Sequence, residues 1–219
     1  LDKIATGLTY FFAMLFALTL RSTFRCYAAY WAGDITPKVN GRLSVNPAVH
    51  ADLVGTIIFP LVGFMLQWPI IGWSKELPID ERNFRNQTWQ PLVVSLSGVF
   101  ANFVMAFLAV AALILFQKYG QGLIPPESFF YPLVGLVQVF AFMNAILGMF
   151  NLLPVPPLDG AVILKTFMDR SMYERFEQTV APYAMILLLV LALMGGLSWV
   201  SKLGVAYVQF CERILSTIF

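Results

Sequence analysis

The chain has 219 residues, of which 59% are hydrophobic and only 12% charged, and its mean hydropathy is +0.75. That composition excludes an ordinary soluble domain and marks an integral membrane protein in contact with a lipid bilayer. The formal net charge of +2 comes with no run of Lys and Arg that would track phosphates, so no nucleic-acid partner is expected.

A membrane-crossing helix needs about 20 apolar residues to cover roughly 30 Å of hydrocarbon. Residues 4–20 supply most of the first. The chain opens on Leu1, as a fragment or a processed product would, and no small-residue cleavage pattern follows residue 20, so the stretch reads as a retained span. Its helical pattern continues through Tyr30 until Gly33-Asp34 stops it. Arg21 and Arg25 lie in its second half, four residues apart and therefore on one face.

Residues 35–52 break the pattern with Pro37, Gly41 and Pro47, and Val39 with Arg42-Leu43-Ser44-Val45 predicts a small membrane-associated β-hairpin. Residues 53–73 form a second apolar stretch, interrupted by Pro60 and Pro69, and residues 75–85 return charge to the surface. Trp68, Trp73 and Trp89 have the spacing of interfacial anchors. Residues 91–116 make an uncharged third span in which Gly98, Ala101 and Asn102 offer a close-packing face. Residues 129–150 make a fourth. The Pro-rich loop 151–160 interrupts it, a feature tolerated at depth only against protein or a cavity.

A helix over 161–168, a charged turn over 169–177 and a further span over 181–200 follow, and the tail reads as an amphipathic or interfacial helix. The expected fold is an all-α polytopic membrane protein with five or six membrane segments and the small hairpin. Residues 1–200 would form the transmembrane domain and 201–219 the C-terminal helix. Cys26 and Cys211 both sit in apolar helical sequence, as buried free thiols do.

Asp159 ends the loop 151–160, and an ionisable residue inside a membrane demands a partner. Arg21 and Arg25 are the candidates, since a guanidinium fork fits a carboxylate. The alternative is that one or both reach back to the interface on their long stems and never meet Asp159. Asn102 and Asn151 read equally well as cleft-lining or as packing and capping residues. Pro154, Pro156 and Pro157 stiffen the loop as scaffold.

These residues carry a resemblance. Asn151-Leu-Leu-Pro154 followed by Asp159-Gly160 is similar to the Asn-x-x-Pro-x-x-x-x-Asp-Gly loop of the site-2 intramembrane zinc metalloproteases, of the compact type without a PDZ domain. Gly33-Asp34, Gly41-Arg42-Leu43, Asn46-Pro47, His50, Asp52 and Gly55-Thr56 resemble the stretch after that family's first catalytic helix. Gly72-Trp73, Pro78 and Asn83-Phe84-Arg85-Asn86 resemble its next loop, and Gly98 with Asn102 its Gly-Pro-x-x-Asn helix, with Val99 in place of Pro.

The resemblance implies that Asp159 stands at the third zinc-ligand position. It also implies that Arg21-Ser22-Thr23-Phe24-Arg25 stands where the family carries His-Glu-x-x-His, so two imidazoles have become Arg and the general base has become Ser22. A guanidinium has no lone pair for a metal.

The expectation is a chain without metal, cofactor or catalytic residues: an inactive homologue serving as a structural or helix-binding subunit of a membrane complex. It would sit in the bacterial inner (cytoplasmic) membrane and take hetero-oligomeric partners, with the former substrate cleft able to hold a partner's transmembrane helix. Arg21, Arg25, Asn102, Asn151, Pro154, Asp159 and Gly160 are the structural or cleft residues. Two alternatives stay open. One is a metalloprotease with a non-standard set of Asp159, His50 and Cys26. The other is a transporter or channel component, against which stand the lack of an internal repeat and the scarcity of polar residues. Ser22 as a nucleophile lacks a base at helical spacing, and Asp34 and Asp52 read as loop or cap residues.

Overall fold

In the computed structural model the described residues are 2–66, 72–120, 124, 128 and 131–218. Trp68, Pro69 and the expected start of the fourth span at Phe129 lie outside them. Helix α1 (Asp2–Ala32) is roughly 45 Å long at 1.5 Å per residue. It ends where Gly33 turns at φ +116°, a backbone conformation that glycine adopts without a Cβ clash. Two short helices follow, α2 (Thr36–Val39) and α3 (Pro47–His50). A π-helical turn (Leu53–Ile58) then runs into α4 (Phe59–Leu66).

Helix α5 (Gln90–Leu115) carries Pro91 at its second position, and α6 (Pro132–Asn151) starts on Pro132. In the first turn of a helix the missing N–H of proline costs nothing. After the loop come α7 (Asp159–Phe167), α8 (Arg170–Leu193) and α9 (Ser198–Ile218).

Helices α1, α5 and α6 pack on one another. Small residues let their backbones approach: Ala13, Ala17 and Ala29 of α1, Ala101 and Ala106 of α5, and Ala141 and Ala145 of α6 are all buried. Helix α9 lies along α6 and α5, with Cys211 and Leu215 against Ala109, Val110 and Ala141, and Val200 beside Leu153 and Leu188. Its buried positions 200, 204, 211 and 215 form one stripe, while Lys202, Glu212 and Arg213 are exposed. Both cysteines are buried and unbridged.

Two expectations are corrected. First, among the described residues there is no β-strand and hence no hairpin, only an isolated bridge between Ala51 and Ser74. Pro37 and Pro47 lie in the first turns of short helices instead. Asn46 caps the second by accepting from Ala48 N (3.0 Å). Carbonyls that a ladder would use go to side chains: Arg42 donates to Val49 O, and Thr23 Oγ1 and His50 Nε2 donate to Ser44 O, each at 2.7 Å.

Second, four helices among the described residues, not five or six, are long and apolar enough to cross a membrane: Lys3–Ala32, Gln90–Gly120, Pro132–Asn151 and Arg170–Leu193. The apolar helix Leu53–Leu66 covers only roughly 21 Å, short of the hydrocarbon thickness. Trp73 packs on Phe59 (5.3 Å between rings), and Trp89 is exposed beside Phe167.

Candidate functional site

Arg21 and Arg25 point from α1 toward α5, where Gly98 makes room for them. A Cβ at Gly98 would stand 2.8 Å from Arg25 Cγ and 3.1 Å from Arg21 Cγ. From the other side, α6 ends on Asn151, and the loop 152–158 doubles back so that α7 begins on Asp159. The return is tight: a Cβ at Gly160 would collide with the Leu152 and Leu153 carbonyls. Pro154 is exposed on the loop, whose Pro156-Pro157 bond is cis.

Asp159 is 1% exposed, and each of its oxygens has a donor. Arg21 Nη2 donates to Oδ2, Ser95 Oγ donates to Oδ1 at 2.7 Å, and Arg25 Nη1 stands 3.3 Å from Oδ1. Arg21 Nη2 also donates to Asn151 Oδ1 (2.8 Å), while Asn151 Nδ2 donates to Leu147 O (2.8 Å). Three side chains from α1 and α5 thus converge on the carboxylate that opens α7, and Asn151 at the end of α6 joins them through Arg21. Neither interfacial escape of the two arginines nor bulk water at Asp159 describes this geometry.

The remaining candidates are elsewhere. Ser22 Oγ donates to Ser74 Oγ (3.0 Å). His50 is buried beside Thr23, with Nε2 on Ser44 O, and burial lowers the affinity of its imidazole for a proton. Asn102 lies about 10 Å further along α5 than Ser95 at 1.5 Å per residue; its Nδ2 reaches Asn144 O at 3.5 Å. The amide oxygens of Asn102 and Asn144 are both buried without a hydrogen-bond partner.

Sequence reasoning missed Ser95 and Asn144. Ser95, Gly98 and Asn102 fall at i, i+3 and i+7, so the face marked by Gly98 and Asn102 already contained the serine. Asn144 sits seven residues before Asn151, on the same face of α6.

Residues 124–192 match the model of peptidase family M50. Over 181 residues the chain is 33% identical to the "Putative zinc metalloprotease YwhC" of Bacillus subtilis (strain 168), an alignment covering 81% of this chain and 77% of that protein. The chain belongs to peptidase family M50. No solved structure matches it.

The M50 family model spans the loop that ends in Asp159-Gly160, the loop on which the resemblance rests. The residues around Asp159 do not fit zinc. Zinc sites take three or four N, O or S donors, and the charged groups facing Asp159 are guanidiniums, which offer none. Among the described residues no group of three or more His, Cys, Asp and Glu is placed to hold a metal ion, so Asp159, His50 and Cys26 are not assembled into one. This M50 member is therefore a membrane-embedded protein without a metal-binding cluster among its described residues.

Proposed function

We propose that this chain is a catalytically inactive M50 homologue, a pseudoprotease of the compact site-2 type, that serves as a structural or helix-binding subunit of a bacterial inner-membrane complex. The observation that carries the reading is the pairing of Arg21 and Arg25 with Asp159. Two fixed cations occupy the charge role that a metal would fill in an active relative. In doing so they tie α1 to the start of α7.

Asn151 and Gly160 belong to the same tie, Asn151 by accepting from Arg21 and Gly160 by letting the loop close. Pro154, exposed on the loop, is assigned to the wall of a cleft for a partner's transmembrane helix, and Asn102, fully buried, to the packing of α5 on α6. Support for a partner comes from α8, which buries only Tyr173, Ala184 and Leu188 and leaves Tyr183, Ile186, Leu187 and Val190 exposed. That surface suits lipid or another helix.

Purification of the full chain from its native membrane in a mild detergent tests the reading, with native mass spectrometry and metal analysis on the same sample. A defined partner at fixed stoichiometry without bound zinc is expected. A solitary monomer would remove the subunit role, and one zinc per chain with cleavage of a membrane segment would remove inactivity.

A further inference from the structure

The buried cluster carries one positive charge in excess, because two arginines face one carboxylate. Arginine cannot shed that charge by losing a proton, and an uncompensated ion in a low-dielectric interior is costly. The hydrogen-bond inventory has the same imbalance. Arg21, 8% exposed, and Arg25 each keep a buried Nε–H without an acceptor among the described residues. The oxygens of Asp159 are already shared among Arg21, Arg25 and Ser95, and among the described residues no other carboxylate pairs with either arginine. A deficit of negative charge and a deficit of acceptors meet at one place. The Arg25 side chain, 23% exposed, opens that place to the outside of the bundle.

The geometry points to an anion-binding site at Arg25, built to take one monovalent carboxylate. One negative charge neutralises the cluster, and a planar carboxylate offers two acceptors to a guanidinium fork. The carboxylate comes either from a small free acid or from a Glu or Asp side chain on a neighbouring transmembrane segment. Ser95, five residues into α5, sets the depth of such a side chain at about 8 Å from the helix end. The site is a property of the isolated chain and stands apart from the subunit reading.

The test is an acetate titration of the full chain in neutral detergent, read as the rise in thermal unfolding midpoint and compared across variants so that general salt effects cancel. Arg25→Gln removes the excess charge and weakens apparent acetate affinity about tenfold or more, as loss of a charge-assisted hydrogen bond predicts. Arg175→Gln, which removes an exposed cation elsewhere, stays within about twofold of wild type. Asp159→Asn, if it folds, adds a second unmatched charge and tightens acetate binding.

Equal acetate responses in wild type and Arg25→Gln would overturn the site. A stronger response to dimethyl phosphate than to acetate would overturn the carboxylate assignment. An apolar transmembrane peptide with one Glu two turns inside its span, compared with its Gln counterpart, separates the sources. Preferential binding of the Glu peptide assigns the carboxylate to a partner side chain, and equal binding with a retained acetate response assigns it to a free acid.

Discussion

Two carboxylates among the described residues are almost completely buried, and they are held in opposite ways. Asp34, 0% exposed, sits just past the end of α1. It is satisfied by neutral donors: Thr36 N (3.0 Å), Thr36 Oγ1 (2.6 Å), Asn83 Nδ2 (2.9 Å) and Asp80 N (2.8 Å). Asp159, 1% exposed, is held by two guanidiniums and one hydroxyl.

The difference follows from where each stands in the chain. Outside the helices, turns leave backbone N–H groups free to point at an anion, as those of Thr36 and Asp80 do. Within long helices most backbone donors are used by the helices themselves, and among the described residues the groups that meet Asp159 are all side chains. A buried charge there must be met by side chains, and at Asp159 these come from positions 138 and 64 residues away in sequence.

The contrast predicts a ranking of unfolding free energies. Asp159→Ala, which strands two buried guanidiniums, is expected to cost about 3–5 kcal/mol. A smaller loss than for Asp34→Ala would break the comparison. Asp34→Ala removes a hydrogen-bonded anion but leaves no buried cation, and is expected to cost about 2–3 kcal/mol.

The two sites also separate by pH. Although burial alone would raise the Asp34 carboxyl, its hydrogen bonds from Thr36, Asn83 and Asp80 outweigh burial and hold it below the ordinary carboxylate value. Its contribution is therefore complete above the unfolded value of about 3.9 and is lost as pH falls through the lower folded value. An acid titration of wild type against Asp34→Asn should converge only below that window, and a constant gap down to the lowest pH would contradict it.

Gly98→Ala sharpens the role of close approach. The added methyl would press on the stems of both arginines and cost about 1–3 kcal/mol as overpacking, and an unchanged midpoint would show that the stems yield freely. The smallest effect belongs to Ser95→Ala, about 1 kcal/mol for one hydrogen bond to Asp159.

Much of this arrangement was legible in the residues. The i, i+4 spacing of Arg21 and Arg25 placed both cations on one face, and the Asp-Gly end of a Pro-rich loop placed a carboxylate at depth. Membership of family M50 agrees with the resemblance those residues carried, at the level of the family. Apolar runs of 20 or more residues located the spans over 91–116 and 129–150 close to their observed positions.

What failed was local. In residues 35–52 the β-branched residues suggested strands, but Pro37 and Pro47 sit in the first turns of helices, and side chains from Arg42, His50 and Thr23 took the carbonyls a ladder needed. Those partners are set by tertiary approach, which periodicity does not report. Ser95 was hidden for a related reason, since a lone serine in an apolar helix has meaning only once the carboxylate it donates to is beside it.

The central claim is that Asp159 is held by arginine. A double-mutant cycle with Arg21→Gln and Asp159→Asn, measured as unfolding free energy in mixed detergent micelles, tests it most directly. The account predicts that the double variant is more stable than the sum of the two single losses implies, with a coupling of about 2–3 kcal/mol. Additive losses, with a coupling near zero, would contradict it.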